Sequence, residues 1–294
     1  MMVKSLLQKT FEQGKFAVTA EMAPPKGTNF NHLLDCAKMI VGRVHGVNVT
    51  DFQSSAMRAS SLATCKALID IGLEPVIQIT GRDRNRIAIQ GEMLSAGYFG
   101  ITNLLALTGD HTVVGDNPGA KPVYDLDSVG ILQCAETLMR GVDMAGNPLE
   151  GTPEFYLGAS CTPEYIPIEL QLLKMKKKIQ AGAKFFQTQA VYSIETMVEF
   201  KELTKDLDAK IMVGIIPLKS AGMAKYMNKN VPGINVPDEI IERLKQAEDK
   251  VAEGIKISGE LIKELREKKL CDGIHIMAIG AEENVPFVLD AAGL

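Results

Sequence analysis

The sequence predicts a closed (β/α)₈ barrel, and three observations indicate it. Eight short segments rich in apolar and β-branched residues alternate with longer segments of helical periodicity. Most of the short segments begin roughly 25–30 residues after the previous one, which is the spacing of a strand followed by a helix. Their continuous apolar character is typical of a parallel sheet that is covered on both faces. Eight such units form a barrel, and an open doubly wound sheet is the structural alternative.

The elements follow one another without a linker. Helical periodicity fills the intervals, as in "NHLLDCAKMIVG" and "SVGILQCAETLMRG", and several of these stretches end in glycine, as helices often do. Two intervals are longer. The interval 107–155 adds a Gly/Pro-rich loop, and 216–274 holds "PDEIIERLKQAEDKVAEGIKISGELIKELREKKL", a segment long enough for two helices or one broken helix. We expect one catalytic domain over residues 1–294. The predicted strands are Phe16–Ala20, Gly46–Thr50, Pro75–Thr80, Leu104–Leu107, Phe155–Ala159, Phe185–Thr188, Ile211–Ile216 and Ile274–Ile279.

The composition excludes several classes of protein. A net charge of −4 argues against a dedicated nucleic-acid binder. No apolar run reaches the roughly 18–20 residues that span a bilayer, and the N-terminal segment predicts an amphipathic helix rather than a signal peptide. The five cysteines are scattered without a Cys-x-x-Cys pair, which favours reduced thiols over disulfides or zinc. We therefore expect a cytoplasmic protein with no membrane span.

Polar residues collect where the predicted strands end, which is where (β/α)₈ enzymes hold their active sites. The pattern offers carboxylates, amides and hydroxyls, with no metal-ligand spacing, P-loop, Gly-x-Ser-x-Gly or Rossmann glycine fingerprint. One acid among several amides, without a metal, is typical of a site where a bound cofactor supplies the chemistry. The strand-end groups are Glu21, Thr50-Asp51, Gln78 to Gly81, Thr108-Gly109-Asp110, Ser160 to Thr162 and Gln187 to Gln189.

Two carboxylates are the first candidates for catalysis. Glu21 ends "KFAVTAE", and a carboxyl in a partly apolar barrel mouth can donate a proton near neutral pH. Asp110 follows Gly109, whose backbone can approach a ligand closely, and its carboxylate can accept a hydrogen bond from a ring N–H. The structural alternatives are a strand-end carboxylate that caps a loop or pairs with a lysine for Glu21 and a simple turn residue for Asp110.

Other polar residues have plainer interpretations. Lys174, Lys177 and Lys178 lie three and four apart, so they share a helix face that is either solvated or able to bind a pyrophosphate. Among the four histidines, only His111 lies near the predicted site, and His275 is expected to be a hydrogen-bonded core residue of the last strand. Cys161 has no obvious base beside it and is expected to be inert.

Five ordered motifs carry a family resemblance over nearly the whole chain. They are "VTAEMAPPKG", "LLALTGD", "GASCTPEY", "AGAKFFQTQAVY" and "VGIIPL". Together they resemble methylenetetrahydrofolate reductases, specifically the short bacterial catalytic unit without a regulatory domain. The resemblance implies a (β/α)₈ barrel that holds FAD, rather than FMN, at its C-terminal face. It also implies the interconversion of 5,10-methylenetetrahydrofolate and 5-methyltetrahydrofolate in one-carbon metabolism, whether in methionine biosynthesis or in the Wood–Ljungdahl pathway.

The resemblance assigns roles residue by residue. Glu21 matches the general acid, Asp110 the carboxylate beside flavin and pterin, and Gln189 the amide that positions the folate. Within the flavin set, Tyr124 and Asp125 match the loop over the adenosine, and the three lysines match the helix at the pyrophosphate. The positions that match flavin contacts are Thr50, Gln78, Thr108, Gly109, Asp110, Tyr124, Asp125, Ala159, Thr162, Lys174, Lys177 and Lys178.

Departures from the family pattern affect the partners. Gln78 and Thr162 replace a histidine and an aromatic flavin contact, and Ala281 lies where many members have a folate-binding arginine. The loop after the seventh strand, "PLKSAGMAKYM", lacks the expected stacking aromatic. These changes resemble the divergent reductases of anaerobic acetogens. They imply either NAD(P)H or a partner electron-transfer subunit as the electron donor, in a homo-oligomer or a hetero-complex.

Two other functions stay open on the sequence alone. A pterin-binding barrel methyltransferase would need no flavin, and an aldolase would need a Schiff-base lysine or a metal inside the barrel. Only Lys219 follows a predicted strand end closely. A flavin-bound electron-transfer or scaffold subunit would keep Asp110 and the lysine face but would not need Glu21.

Overall fold

The computed structural model describes residues 4–294 and confirms the predicted barrel. Eight parallel strands close in chain order, each paired with the next and β8 with β1. The predicted strand bounds were wrong by one to three residues at most ends, while the middle of every strand was predicted correctly. The strands are β1 Ala17–Met22, β2 Gly46–Val49, β3 Pro75–Thr80, β4 Asn103–Leu107, β5 Tyr156–Cys161, β6 Phe185–Ala190, β7 Lys210–Ile215 and β8 Gly273–Ile276.

The helices form the outer layer. The long interval after β7 holds three helices, two of them in the segment predicted to contain two helices or one broken helix. Among residues 4–294, no helix is both long enough and apolar enough to cross a bilayer. The helices are α1 Leu6–Glu12, α2 Asn31–Lys38, α3 Ser61–Asp70, α4 Arg86–Tyr98, α5 Ser128–Met139, α6 Ile168–Gln180, α7 Ile194–Thr204, α8 Ala221–Asn230, α9 Asp238–Gln246, α10 Lys250–Glu267 and α11 Val285–Ala292.

Alternate residues of each strand face the helices or the barrel interior, as strand geometry requires. The outward residues pack with the helices into one continuous apolar core, in which Val18 of β1, Ile77 of β3 and Phe186 of β6 are buried. The inward residues form layers along the barrel axis, which is how (β/α)₈ barrels fill their centre. These layers change from apolar to polar toward the carboxyl ends of the strands.

Helix α1 covers the amino-terminal end of the barrel. Its Leu7 and Phe11 are buried against an inward layer that includes Leu105 and Phe185. The Tyr156 ring stacks on the Phe185 ring with a centroid distance of 5.3 Å. This end is therefore filled by aromatic and aliphatic side chains, which leaves the carboxyl end as the place for polar chemistry.

Candidate active site

A layer of polar side chains crosses the barrel interior above the apolar layer. The Asn48 and Gln187 amides, on strands β2 and β6 at opposite sides of the barrel, hydrogen-bond reciprocally at 2.7 and 3.0 Å. Gln187 Nε2 also donates to Thr19 Oγ1 at 3.2 Å, and Thr19 Oγ1 lies 2.9 Å from His275 Nδ1. All four side chains are buried. The layer is thus a connected polar network rather than a set of orphaned groups.

Glu21 lies directly above this layer, two residues after Thr19 on the same strand face. It is buried, with 8% of its surface exposed. The Gln53 amide donates to Oε1 at 3.2 Å and the Gln78 amide donates to Oε2 at 3.5 Å. His275 Nε2 lies 3.7 Å from Oε2. The lysine-paired alternative is therefore wrong, since the groups that face Glu21 are two neutral amides and one imidazole.

The loops that follow β2, β3 and β4 are tied together by a buried arginine. Arg82 donates to the carbonyl of Phe52 at 3.0 Å and to the carbonyl of Asp110 at 3.2 Å, and it pairs with Asp83. Next to it, Arg84 binds the buried Asp51 carboxylate through two hydrogen bonds of 2.6 and 2.9 Å. Three loops of the mouth are thereby held in one arrangement. The Asp51 carboxylate is already bound by Arg84 and has a structural role.

Gly109 and Asp110 form the exit of β4. Gly109 has φ +88°, and a Cβ atom there would lie 3.2 Å from Cβ atoms of Thr80 and Arg82. The backbone conformation therefore favours glycine, and any side chain there would also have to displace its neighbours slightly. The Asp110 side chain is exposed at the mouth, while its main-chain carbonyl is held by Arg82. The Thr108 hydroxyl accepts a hydrogen bond from the Ser128 N–H and so helps to fix the start of α5.

The long loop after Asp110 crosses toward the first two loops of the mouth. A Cβ on Gly115 would lie 1.9 Å from the Ser55 carbonyl oxygen, so the two backbones are in direct contact. The Asp116 carboxylate pairs with Lys26 and accepts from the Met57 N–H at 2.9 Å. The hydrogen bond from Lys26 is the main cause that lowers the pKa of Asp116. The loop is thus anchored on both neighbouring loops.

The second half of this loop returns along β3. Tyr124 N–H donates to the Gly81 carbonyl, and the Tyr124 hydroxyl reaches the Gly109 carbonyl at 3.3 Å. Asp125 accepts three hydrogen bonds from Arg86 at the start of α4, and these lower the pKa of Asp125 to about 2. Tyr124 therefore lies against the predicted site, whereas the Asp125 carboxylate is already paired.

Thr50 at the end of β2 carries an orphaned polar atom. Its hydroxyl oxygen is buried and has no hydrogen-bond partner in the described part of the chain. Buried hydroxyls without partners are rare, and they often mark a place where a ligand or water supplies the missing hydrogen bond. Thr50, Gly109 and Asp110 together offer a hydroxyl, a closely approachable backbone and an exposed carboxylate at one end of the barrel. This donor and acceptor set fits a flavin ring.

The β5 side of the mouth is arranged differently from the sequence prediction. Ala159 faces outward and is fully buried in the core between barrel and helices, so only its backbone can meet a ligand. The Gly233 backbone packs closely against the Thr162 side chain, because a Cβ atom on Gly233 would lie 2.2 Å from the threonine methyl group. The three lysines of α6 do not share one exposed face. Lys174 and Lys177 are exposed, but Lys178 is buried and donates to the Ser160 carbonyl at 2.8 Å.

Gln189 is exposed at the mouth because β6 is irregular there. The register between β6 and β7 shifts between Gln187 and Ala190. At that point the Thr188 hydroxyl accepts from the Gly214 N–H at 2.9 Å, in place of a regular ladder bond. Bulges of this kind re-aim side chains, often beside active sites. The Gln189 amide is thereby left free to meet a ligand.

The sequence analysis missed a further buried carboxyl at the same end of the barrel. Glu164, in the loop between β5 and α6, has one buried oxygen without a partner and another that accepts from the Thr196 hydroxyl at 3.3 Å. Burial raises the pKa of Glu164. Nothing in "CTPEYIP" signals this burial, because it depends on the loops packed around it. Glu164 is therefore a carboxyl against which the role of Glu21 can be compared.

The sequence analysis also missed the inward orientation of His275 and Asn48, whereas Gln187 was among the polar groups expected at the strand ends. No histidine was expected beside Glu21, yet His275 lies there and is also the hydrogen-bonded core residue that was predicted. His111 instead caps the short helical turn 112–114 on the surface. Away from Glu21, the structure brings together His32, Cys36 and Glu283, whose ligand atoms lie within 4.8 Å of one another. The sequence did not indicate this group, because Glu283 is far along the chain from His32 and Cys36.

The comparisons with known proteins agree with this geometry. A model of the family "Methylenetetrahydrofolate reductase" matches residues 6–293. A 5,10-methylenetetrahydrofolate reductase of Salmonella typhimurium is 25% identical over 218 residues, which cover 72% of this chain and 68% of that protein. The Escherichia coli enzyme of the same name is 23% identical over 280 residues, which cover 92% of this chain and 88% of that enzyme.

One solved structure has the same overall fold. It is an uncharacterized protein from Clostridium thermocellum that binds two copies of 5-methyl-5,6,7,8-tetrahydrofolic acid. It superposes with a TM-score of 0.64 at 17% identity and covers 98% of both chains. A longer relative, methylenetetrahydrofolate reductase 2 of Schizosaccharomyces pombe, is 23% identical, and the match covers 74% of this chain but only 35% of that relative.

A closed parallel barrel with a buried acid at its carboxyl end is the architecture of a (β/α)₈ enzyme. The family match covers nearly the whole chain. The protein belongs to the methylenetetrahydrofolate reductase family and is an oxidoreductase.

Proposed function

We propose that this chain uses a bound flavin to reduce 5,10-methylenetetrahydrofolate to 5-methyltetrahydrofolate, with Glu21 as the general acid. The observation that carries the proposal is the environment of Glu21, which is buried and faces two amides and an imidazole rather than a lysine or arginine. A carboxyl outside any such ion pair is free to exchange a proton with a substrate. Family membership and the folate bound by the Clostridium thermocellum protein support the choice of substrate.

The chemistry is divided between the cofactor and the chain. A reduced flavin supplies the hydride. Glu21 protonates a nitrogen of the folate ring system, which opens the one-carbon bridge into its electrophilic form. Asp110 lies exposed at the mouth, where its negative charge disfavours additional negative charge nearby. The exposed Gln189 amide can hold the folate by hydrogen bonds.

The cofactor is proposed to be FAD rather than FMN. The unpartnered Thr50 hydroxyl and the Gly109 backbone support the binding of the flavin ring. Lys174 and Lys177 are exposed on α6, where both can meet a pyrophosphate, which FMN lacks; the Lys174 ammonium lies over the Tyr165 ring, 5.0 Å from its centroid. Lys178 and Asp125 are proposed to hold the loops around the cofactor rather than to contact it. Lys178 already donates to the Ser160 carbonyl, and Asp125 is already paired with Arg86.

The proposal is tested by the Glu21→Gln variant, with Glu164→Gln as a matched control. Glu164 is also a partly buried carboxyl at the mouth, but it lies in another loop. Loss of a general acid typically costs about 10²–10⁴-fold in rate. We expect Glu21→Gln to retain flavin and to lose folate-dependent reoxidation of the reduced flavin by that factor, while Glu164→Gln stays within a few fold of the parent. The reverse pattern would assign the acid to Glu164, and an unchanged Glu21→Gln variant would remove the acid role.

The electron donor is proposed to be either NAD(P)H or a partner electron-transfer subunit of the kind found with divergent acetogen reductases. Ala281 supports the divergence, since it is buried beside the short helical turn 282–284 and offers no folate-binding cation. The five cysteines are all free, which supports a reducing cytoplasmic setting. Oxidation of NADH or NADPH by the purified chain with an artificial acceptor decides whether a partner subunit is needed.

The other candidate functions make different demands. Lys219 donates to the Ile279 carbonyl at 2.9 Å, outside the polar layer, which gives no support to a Schiff-base aldolase. A pterin methyltransferase would be purified without flavin. An electron-transfer or scaffold subunit would hold flavin that methylenetetrahydrofolate does not reoxidise.

A further inference from the structure

His275 is a titratable side chain that faces Glu21. It lies in β8 directly opposite Thr19 of β1, and Glu21 is two residues further along the same face of β1. The His275 side chain is buried, with 3% exposed. Its Nδ1 atom lies 2.9 Å from Thr19 Oγ1, and its Nε2 atom lies 3.7 Å from Glu21 Oε2. The imidazole therefore bridges the polar layer and the acid.

Thr19 is the partner of His275 Nδ1 within the polar layer. The Gln187 amide pairs reciprocally with Asn48, and its Nε2 group also donates to Thr19 Oγ1. When Thr19 donates its own hydroxyl hydrogen to His275, the Nδ1 atom accepts it. A neutral imidazole that accepts at Nδ1 carries its proton on Nε2. In this tautomer the Nε2–H group points toward the Glu21 carboxyl.

We propose that His275 takes this tautomer and is a positioning residue that acts through Glu21, an inference that rests on the function proposed above. When Glu21 gives its proton to a folate nitrogen, its O–H bond breaks, a new N–H bond forms, and the bonding electron pair stays on the Glu21 oxygen. The carboxylate so formed is stabilised by the His275 Nε2–H and the Gln53 and Gln78 amides. His275 keeps its own proton throughout.

The geometry favours an interaction that strengthens as the reaction proceeds. The Nε2 to Oε2 distance of 3.7 Å exceeds an ordinary hydrogen bond, whereas the amide contacts are 3.2 and 3.5 Å. Catalytic hydrogen bonds are often long before substrate binds and shorten in the reacting complex. Neutral donors aimed at a developing negative charge accelerate a reaction, because they stabilise the charged transition state more than the uncharged ground state.

The first test compares His275→Leu with His275→Gln, whose amide N–H can replace the Nε2–H group. We expect His275→Leu to slow reoxidation of the reduced flavin by methylenetetrahydrofolate about 10- to 100-fold, somewhat less than the roughly 10²–10³-fold typical of a direct oxyanion donor. His275→Gln should recover most of that rate. Flavin content and affinity for 5-methyltetrahydrofolate should stay within about threefold in both variants. Parent-like rates in His275→Leu, or equally slow rates in both variants, would overturn the proposal.

The second test is a double-mutant cycle with Thr19→Val, which removes the hydroxyl that sets the tautomer. Thr19→Val alone should slow the same step. It should add nothing in a His275→Leu background, because the two side chains act as one unit. Independent, multiplying losses would mean that Thr19 does not work through His275 and would contradict the proposal.

A third measurement does not depend on the reaction. The chain has only four histidines, so ¹⁵N resonances of the labelled imidazoles can be assigned by single substitutions. His275 should show an unprotonated Nδ1 and a protonated Nε2, and Thr19→Val should abolish this preference. A parent protein that shows this tautomer yet does not reduce the folate contradicts the proposed function and leaves the network in place. A protonated Nδ1 contradicts the inference about His275 itself.

Discussion

Single residues of the mouth differ sharply in how much freedom the fold leaves them. Asp51 and Asp125 are carboxylates bound by arginines, and Asp116 is bound by a lysine. Glu21 and Asp110 are the two predicted acids that are not held in this way. Glu21 lies buried above the polar layer, and Asp110 is exposed at the end of β4. The carboxylates bound by cations hold the loops together, and the other two carboxyls are the ones for which we propose chemical roles.

At Asp110 we expect the charge itself to matter. A carboxylate beside a flavin disfavours the added negative charge of the reduced form, so Asp110→Asn should raise the midpoint potential of the bound flavin. A rise of about 30 mV corresponds to about 1.4 kcal/mol for this two-electron couple. Spectroelectrochemical titration of the parent and variant measures it. An unchanged or lower potential would place the Asp110 carboxylate away from the flavin.

At the scale of the element, α6 shows how helix packing overrides a sequence pattern. Spacing of three and four residues placed Lys174, Lys177 and Lys178 on a common side, but the helix turns Met175 and Lys178 toward the barrel. Lys178 then reaches the Ser160 carbonyl with its ammonium group. Burial lowers the pKa of Lys178, and the nearby positive charge of Lys174 adds to that direction.

The lowered pKa of Lys178 gives a pH dependence of stability with a defined sign. Below its folded-state pKa the buried ammonium opposes folding, and this cost disappears as pH rises from that value toward the unfolded value near 10.5. The free energy of unfolding of the parent should therefore rise relative to Lys178→Met through this window. Chemical denaturation of both proteins between pH 7 and pH 10.5 measures the difference. A difference that falls with pH would contradict the burial cost, and Lys177→Met at the exposed neighbour is the control.

The strand centres and the strand order could be predicted from the sequence, whereas the strand ends and the contacts across the barrel could not. Buried parallel strands are continuously apolar, so their centres were evident, while their ends depend on ladder hydrogen bonds that the sequence does not display. The order of the strands placed Glu21 and Asp110 at one end of a barrel. The contact between His275 and Glu21 joins positions 254 residues apart, and the amide pair of Asn48 and Gln187 crosses the barrel. Such contacts depend on register and closure.

At the scale of the whole molecule, the barrel separates stability from chemistry along its axis. Helix α1 and the aromatic layer around Phe185 fill the amino-terminal end. The polar layer follows, and the loops tied by Arg82 surround the carboxyl end. The long loop after Asp110 is part of this wall, since it packs on Ser55 and pairs with Lys26. This order holds the buried Glu21 carboxyl beneath an open mouth.

The most direct measurement is the anaerobic reoxidation of reduced flavin in the purified chain by 5,10-methylenetetrahydrofolate, followed at the flavin absorbance with analysis of the folate product. We predict a yellow protein whose reduced flavin is reoxidised in a single-turnover reaction, with one 5-methyltetrahydrofolate formed per flavin. A flavin that stays reduced in the presence of the folate, or a chain that binds no flavin at all, would contradict the central claim.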